Sequence, residues 1–302
     1  MAEPSNDLPP PAGAERPPSG LTRISERVRR IVAPNPSPFT FTGTCVYIVG
    51  EGEVAVIDPG PADPAHLDAL LAAIPGERVT HIVVTHSHRD HAGGAALLQR
   101  RTGAPIVGSA AHVVADGKPT RADASHALDY APDETLADGA RVAGRGFTLE
   151  AVATPGHAAN HLCFALAEEN ALFSGDHVMA WSTSVIAPPD GSMRAYLASL
   201  GKVAQRADAI YWPGHGGPVR EPQRYVRALI SHRRQREAAI LARLEAGEAN
   251  VAEIVARVYP SLAPSLIGAA SLSTLAHLED LTERGLAASD GAITLEARFR
   301  RI

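Results

Sequence analysis

The 302-residue sequence has no run approaching the roughly 20 apolar residues that cross a bilayer. Its opening, MAEPSNDLPPPAGAERPPSG, has neither the apolar stretch nor the small-residue cleavage site of a secretory leader. No membrane partner is expected, and the expected location is cytoplasmic. Cysteine is scarce: Cys45 and Cys163 lie in the apolar text TCVYIV and HLCFAL, where a cysteine serves as a small buried hydrophobe. An excess of positive charge is also missing. The formal net charge is −5, so the surface as a whole does not advertise affinity for nucleic acid.

What is present is an ordinary globular composition, 45% hydrophobic and 20% charged. The length sits just above the roughly 250 to 300 residues at which one core stops growing, leaving room for an α/β core and a small second unit. Residues 1–20, rich in Pro, Gly and Ser, are expected to be a disordered tail. Residues 21–247 form the expected main domain and residues 248–302 a small C-terminal one.

The runs CVYIV and VAVID flank Gly50 and Gly52 and read as a hairpin. Residues 64–74 are helical in period, with Asp63 as N-cap, and VTHIVV from 79 is a buried strand. A helix over 92–101, a strand at PIVG, and strands at 147–153, 160–166, 170–174 and 209–212 follow. Residues 221–246 make one long amphipathic helix stopped by Gly247. Beyond it the pattern is a short helix, a break at Pro260, a longer helix to about Arg284 and two short strands around Asp290 and Gly291. In that longer helix Leu272, Leu275, Leu278 and Leu281 recur every three residues, as a buried face would.

The segment Thr85-His86-Ser87-His88-Arg89-Asp90-His91 puts three imidazoles and a carboxylate between a buried strand and a helix. Such groups are the usual ligands of catalytic zinc. In extended chain His86 and His88 point to one side, and Asp90 and His91 follow a turn that lets them address a second ion. More ligands are needed, and isolated candidates follow other strands: His157 in TPGH, Asp176 in SGD and His215 in PGH. Each adjoins a Gly that permits a tight turn, and loops at one sheet edge gather such groups. His161 and His177 adjoin these motifs and are candidates for supporting roles. His66, His81, His112, His126, His232 and His277 have no motif around them.

HSHRDH, TPGH, SGD and PGH in this order resemble the metallo-β-lactamase superfamily over about residues 40–220. That resemblance implies an α/β fold, an αββα sandwich with the site at one edge. It implies that His86, His88 and His157 bind one metal ion, Asp90, His91 and His215 a second, and that Asp176 bridges them. Two divalent ions, with zinc favoured by ligand type, would hold a shared hydroxide that Asp90 orients, making the chain a hydrolase. Asp176 argues against true β-lactamases, which lack the bridging carboxylate, and His88 against flavodiiron proteins. The text after 247 does not resemble the glutathione-binding domain of glyoxalase II.

NPSPFTFTGTCVYIVG, GDHVMAWSTSVIAPPDGSM, PGHGGPV and ISHRRQREAAIL, followed by a winged-helix-like tail, resemble the group around β-lactamase-like protein 2 from about residue 34 onward. Two substrates follow from that group: single-stranded RNA, or a small-molecule ester or acyl-thioester. RNA calls for a positive track, for which Arg220, Arg224, Arg227, Arg233, Arg234 and Arg236 are the candidates, Arg233 and Arg234 foremost. An acyl substrate calls for an apolar groove, which Trp181, Val185, Ile186 and Met193 would line. A third reading, a DNA-binding metal sensor, is disfavoured because residues 262–284 carry only Arg284 and His277 as basic groups.

Overall fold

A computed structural model describes residues 15–113 and 125–302. Runs rich in Val and Ile supply its first sheet. Strands β1 (Thr22–Arg23), β2 (Val28–Val32), β3 (Cys45–Glu51) and β4 (Glu53–Ile57) pair antiparallel in succession. The expected hairpin is β3–β4, turned at Gly52 with φ 71°, a conformation that glycine adopts without a Cβ clash. Helix α1 (Pro64–Ala72), capped by the Asp63 side chain on the Ala65 amide, leads to the parallel β5 (Arg78–Val84). The one-turn α2 (Arg89–Ala92), then α3 (Ala95–Thr102), β6 (Ile106–Gly108) and β7 (Glu134–Thr135), complete this half.

The second sheet contains β8 (Arg141–Gly144), β9 (Phe147–Ala153), β10 (Leu162–Leu166), β11 (Ala171–Gly175) and β12 (Ile210–Pro213), with β12 beside β11 and β8 at the far edge. Strand β12 is parallel to β11 and is reached through helix α4 (Met193–Val203). Tyr47, Ile57, Phe147, Phe164 and Phe173 meet in the core between the two sheets. Helices α1 and α3 cover the outer face of the first sheet, where Leu67, Leu70 and Leu98 pack with Ile48 and Ile82. Helices α4 and α5 (Pro222–Glu245) cover the second, where Tyr196, Leu200, Val226 and Leu229 pack with Leu172 and Tyr211. The layers run helix, sheet, sheet, helix. Both cysteines are free and buried in this body, and burial pushes the thiols up to about 11 for Cys45 and about 12 for Cys163, so neither is a ready nucleophile.

The C-terminal unit holds α6 (Val251–Val258), α7 (Ile267–Glu283) and the antiparallel pair β13 (Ala287–Ser289) and β14 (Phe299–Arg301). Asn250 and Glu253 cap α6 reciprocally, so that two otherwise unpaired amides are satisfied. Leu275, Leu278 and Leu281 are buried against Ile240, Leu244 and Phe299, whereas Leu272 is half-buried. The second strand starts later than expected, because residues 290–298 form a longer connection.

The expected disordered tail is corrected in its last part. Pro17 is buried, the Arg16 guanidinium sits 4.7 Å from the centre of the Phe41 ring, and Glu15 pairs with Arg220 at 3.0 Å. These cation–aromatic and ionic contacts hold residues 15–20 on the body. Residues 1–14 lie outside the described residues. Among those described, no helix is long and apolar enough to cross a membrane.

Candidate metal centre

Four loops meet where the two sheets share an edge. The Cys45 amide donates to the Gly214 carbonyl at 2.7 Å and the Tyr47 hydroxyl to the Pro213 carbonyl at 2.7 Å, which ties the first sheet to the end of β12. On this frame the structure brings together all seven side chains expected from the motifs. The His88 Nδ1 atom lies 3.0 Å from His86 Nε2 and 3.1 Å from His157 Nε2. The His215 Nε2 atom is 3.2 Å from Asp90 Oδ2, and His91 Nε2 is 3.4 Å from the same oxygen. Asp176 stands between the two groups: Oδ1 is 3.5 Å from His91 Nε2, and Oδ2 is 3.6 Å from His157 and 3.4 Å from His215.

These separations match a coordination shell. A zinc ion with nitrogen ligands at about 2.0–2.1 Å sets neighbouring ligand atoms about 3.3 Å apart in a tetrahedron. In four of the five imidazoles the other ring nitrogen is engaged elsewhere, which turns the remaining one inward. His86 Nδ1 is 2.9 Å from Thr85 Oγ1, His91 Nδ1 is 2.9 Å from Asp58 Oδ2, His157 Nδ1 is 2.6 Å from the Val185 carbonyl and His215 Nδ1 is 3.3 Å from that of Gly43. Buried His91 Nε2 and Asp176 Oδ1 have no hydrogen-bond partner among the described residues. Buried polar atoms so arranged at the centre of a site fit the donor set of a cation. Gly214 keeps the space open: a Cβ there would lie 2.5 Å from Asp176 Oδ1 and 2.6 Å from His91 Cε1. Gly156, at φ 143°, lets the His157 loop pass against the backbone of Tyr196.

Burial, reinforced by neighbouring imidazoles, holds His86 and His88 well below the usual histidine range, so both are neutral and free to donate a lone pair. For His91 and His215 burial pulls the same way but is outweighed by carboxylates. Asp90 and Asp176 raise His91 well above its ordinary value, and Asp176 and Asp90 bring His215 to about 9. Burial would raise Asp90 and Asp176, yet His91 and His215 hold both well below the carboxylate range. The pocket is thus built to neutralise concentrated charge of both signs.

Supporting groups that the motifs did not mark surround the cluster. Asp58, buried at the end of β4, accepts from the Thr85 amide at 2.8 Å, from the Thr85 hydroxyl at 2.7 Å and from His91. A single carboxylate in DPG reads as a turn, so only its strand-end position could have signalled it. His126 Nδ1 is 2.8 Å from Ser87 Oγ, and His88, His126 and Asp190 form a further grouping that adjoins the first through His88. His161 supports the site as expected of an adjoining histidine: its Nε2 accepts from the Asp176 amide at 3.1 Å. His177 turns away, its ring edge-on to Tyr196 and burial bringing it down to about 3.

The substrate-contact candidates divide. Arg234 is exposed, but Arg233 is only 3% exposed and donates to the Ser184 carbonyl, and Arg236 is buried and donates to that of Val258. The expected phosphate contact at Arg233 is therefore corrected, because the helical period turns positions 233 and 236 inward over the rings of Tyr196 and Tyr259. Ile186 and Met193 belong to the core under α4 rather than to a groove. Trp181 is half-buried, stacks on Phe41 at 5.0 Å and packs against Gly216, the residue after His215.

Comparison with known proteins agrees with this architecture. Residues 39–215 match the model of the metallo-beta-lactamase superfamily, and residues 251–295 that of the beta-lactamase associated winged helix domain. The chain is 32% identical to an atrochrysone carboxyl ACP thioesterase of Aspergillus fumigatus over 74% of this chain and 66% of that protein. It is 33% identical to a beta-lactamase-like protein 2 homolog of Caenorhabditis elegans over 73% and 72%. A beta-lactamase domain protein from Burkholderia ambifaria superimposes with a TM-score of 0.80, covering 97% of this chain and 96% of that one at 20% identity, which speaks for the fold. The superfamily typically binds divalent metals, and the matched span covers all seven clustered side chains. The chain is a member of the metallo-beta-lactamase superfamily of hydrolases, with a mixed α/β fold and a C-terminal winged-helix domain.

Proposed function

We propose that this protein hydrolyses acyl-thioesters with two divalent metal ions, zinc being the metal its nitrogen and oxygen donors suit. The observation that carries the two-metal part of the reading is the position of Asp176 between the clusters His86, His88, His157 and Asp90, His91, His215. The catalytic unit in this reading spans residues 21–247, and 248–302 is the winged-helix unit. Ions held there would supply Lewis acidity and lower the pKa of a bound water to about 7. The chain's own part is positional. Asp90, partly exposed at the mouth and accepting from the Thr44 hydroxyl at 3.4 Å, would orient the attacking water. Trp181 and Phe41 offer an apolar wall beside the His215 loop on which an acyl chain can lie.

The thioester is favoured over RNA for two reasons. Similar proteins include an ACP thioesterase, and the basic stripe of α5 is interrupted by the burial of Arg233 and Arg236. The test is a panel assay of the metal-loaded protein on acyl-CoA and acyl-carrier thioesters, lactones and single-stranded RNA. Thioester cleavage abolished by a chelator and restored by zinc is expected. Cleavage of RNA with thioesters untouched under zinc, manganese and magnesium would overturn it.

A further inference from the structure

Residues 184–186 lie between the site and the C-terminal unit, and each is tied in a different direction. Ser184 Oγ is 2.5 Å from the carbonyl oxygen of Asp176 and 3.0 Å from that of His177. The carbonyl of Ser184 accepts from Arg233 Nη2 at 2.5 Å. The carbonyl of Val185 accepts from His157 Nδ1 at 2.6 Å, which fixes the tautomer and direction of that ring. The Ile186 amide donates to Ser273 Oγ of α7 at 3.2 Å. Three consecutive residues thus link Asp176 and His157 to a residue of α5 and one of α7.

Arg233 is an expensive group to place here. It is buried, Nε has no hydrogen-bond partner and no carboxylate lies within ion-pair distance among the described residues. A guanidinium taken out of water without an anion is destabilising unless its remaining bonds are good. Those bonds go to the Ser184 carbonyl and to the face of Tyr196, 5.4 Å away, whose hydroxyl donates to the His177 carbonyl. Both lead back to the backbone on either side of the loop. A hydrocarbon side chain would fill the same volume at lower cost, so the charge is retained for what it holds in place.

We infer that Arg233 and Ser273 are positioning residues that hold 184–186 so that the Val185 carbonyl aims His157 and the Ser184 hydroxyl steadies the backbone of Asp176, making the C-terminal unit part of the metal site. This rests on the metal reading above. It assigns a role to the ISHRR segment other than phosphate binding. It also gives the winged-helix unit a task at the site through the Ser273 hydroxyl. Partners one bond removed from a metal ligand typically change affinity 10- to 100-fold.

The test is titration with cobalt(II), read by the visible absorption of each bound ion, on the full chain and on Arg233→Met, Arg233→Lys and Ser273→Ala. Folding is checked by circular dichroism. Arg233→Met is expected to weaken the ion held by His86, His88 and His157 about 10- to 100-fold and alter its spectrum, and to weaken the other, which shares only Asp176 with it, markedly less. Arg233→Lys, which can still donate to the Ser184 carbonyl, is expected to recover most of the loss. Ser273→Ala is expected to act on the same ion by about threefold. Should Arg233→Met fail to fold, the other two variants still decide. Two ions bound unchanged in all folded variants, or weakened equally, would overturn the inference alone. Wild-type protein that takes up no cobalt would overturn the metal reading and the inference with it.

Discussion

Asp58 governs two ligand rings while contacting one. It accepts directly from His91, and through the Thr85 hydroxyl it fixes His86, so both imidazoles present Nε2 inward. Asp58→Ala should therefore lower zinc affinity about 10- to 100-fold with secondary structure unchanged, measured by competition with a chromogenic chelator. Affinity equal to wild type would remove Asp58 from the site. Removing a ligand itself is harsher. Asp176→Ala and His88→Ala should each reduce hydrolysis by more than about 100-fold while the chain stays folded, since both sit on strand-end loops outside the main cores. Retained turnover in either would show that the reacting centre lies elsewhere. The seven clustered side chains were legible in the sequence because metal chemistry concentrates unusual residue types beside glycine turns. Asp58 was not, because a lone carboxylate after a strand has no such signature, and its partner arrives only on folding.

At the scale of elements, α7 is the hinge between legible and illegible. Its leucine period announced a buried face, and Leu275, Leu278 and Leu281 are buried. That the same helix also buries Ser273, Thr274 and His277 toward the main body could not be read, since polar residues on a helix face normally meet water. Helix α4 was missed because MRAYLASLGKV follows a Pro- and Gly-rich loop, and β2 because VRRIV carries two arginines, both buried. His277 makes the packing of α7 testable. Burial, with the cations Arg233, His232, Arg284 and Arg236 around it, lowers its pKa to about 3. The unfolded chain takes up the proton near pH 6.5, so the stabilisation from a neutral His277 is complete above that pH and is lost progressively as pH falls toward 3. Each pH unit in that window costs about 1.4 kcal/mol at most. With both proteins stripped of metal, the unfolding midpoint of wild type should fall more steeply below pH 6.5 than that of His277→Leu. Parallel curves would mean that α7 does not shield this ring.

For the molecule as a whole, charge distribution and shape bear on the substrate together. The net charge of −5 comes with several arginines that are buried or paired: Arg233 and Arg236 in the α5 interface, Arg194 and Arg284 on Asp280, and the exposed Arg220 on Glu15. A phosphate track needs free cations in register, and α5 leaves Arg227, Arg234 and the Glu221-paired Arg224 on its exposed side, without the buried Arg233 and Arg236. The double reversal Arg224→Glu, Arg234→Glu should accordingly leave thioester turnover within about twofold at any salt concentration. The apolar wall should matter instead. Trp181 stacks on Phe41, itself covered by Arg16 from the N-terminal segment, so the indole is held rigid beside the His215 loop. A methylene fully withdrawn from water is worth about 0.8 kcal/mol, or roughly fourfold in affinity. If an acyl chain lays two methylenes on the indole, Trp181→Ala should raise KM about fifteenfold for octanoyl and longer thioesters. For acetyl thioesters KM should barely change, and kcat should hold for both, because the ligands are untouched. A KM that rises equally for short and long chains would place Trp181 in the framework of the loop rather than against the substrate.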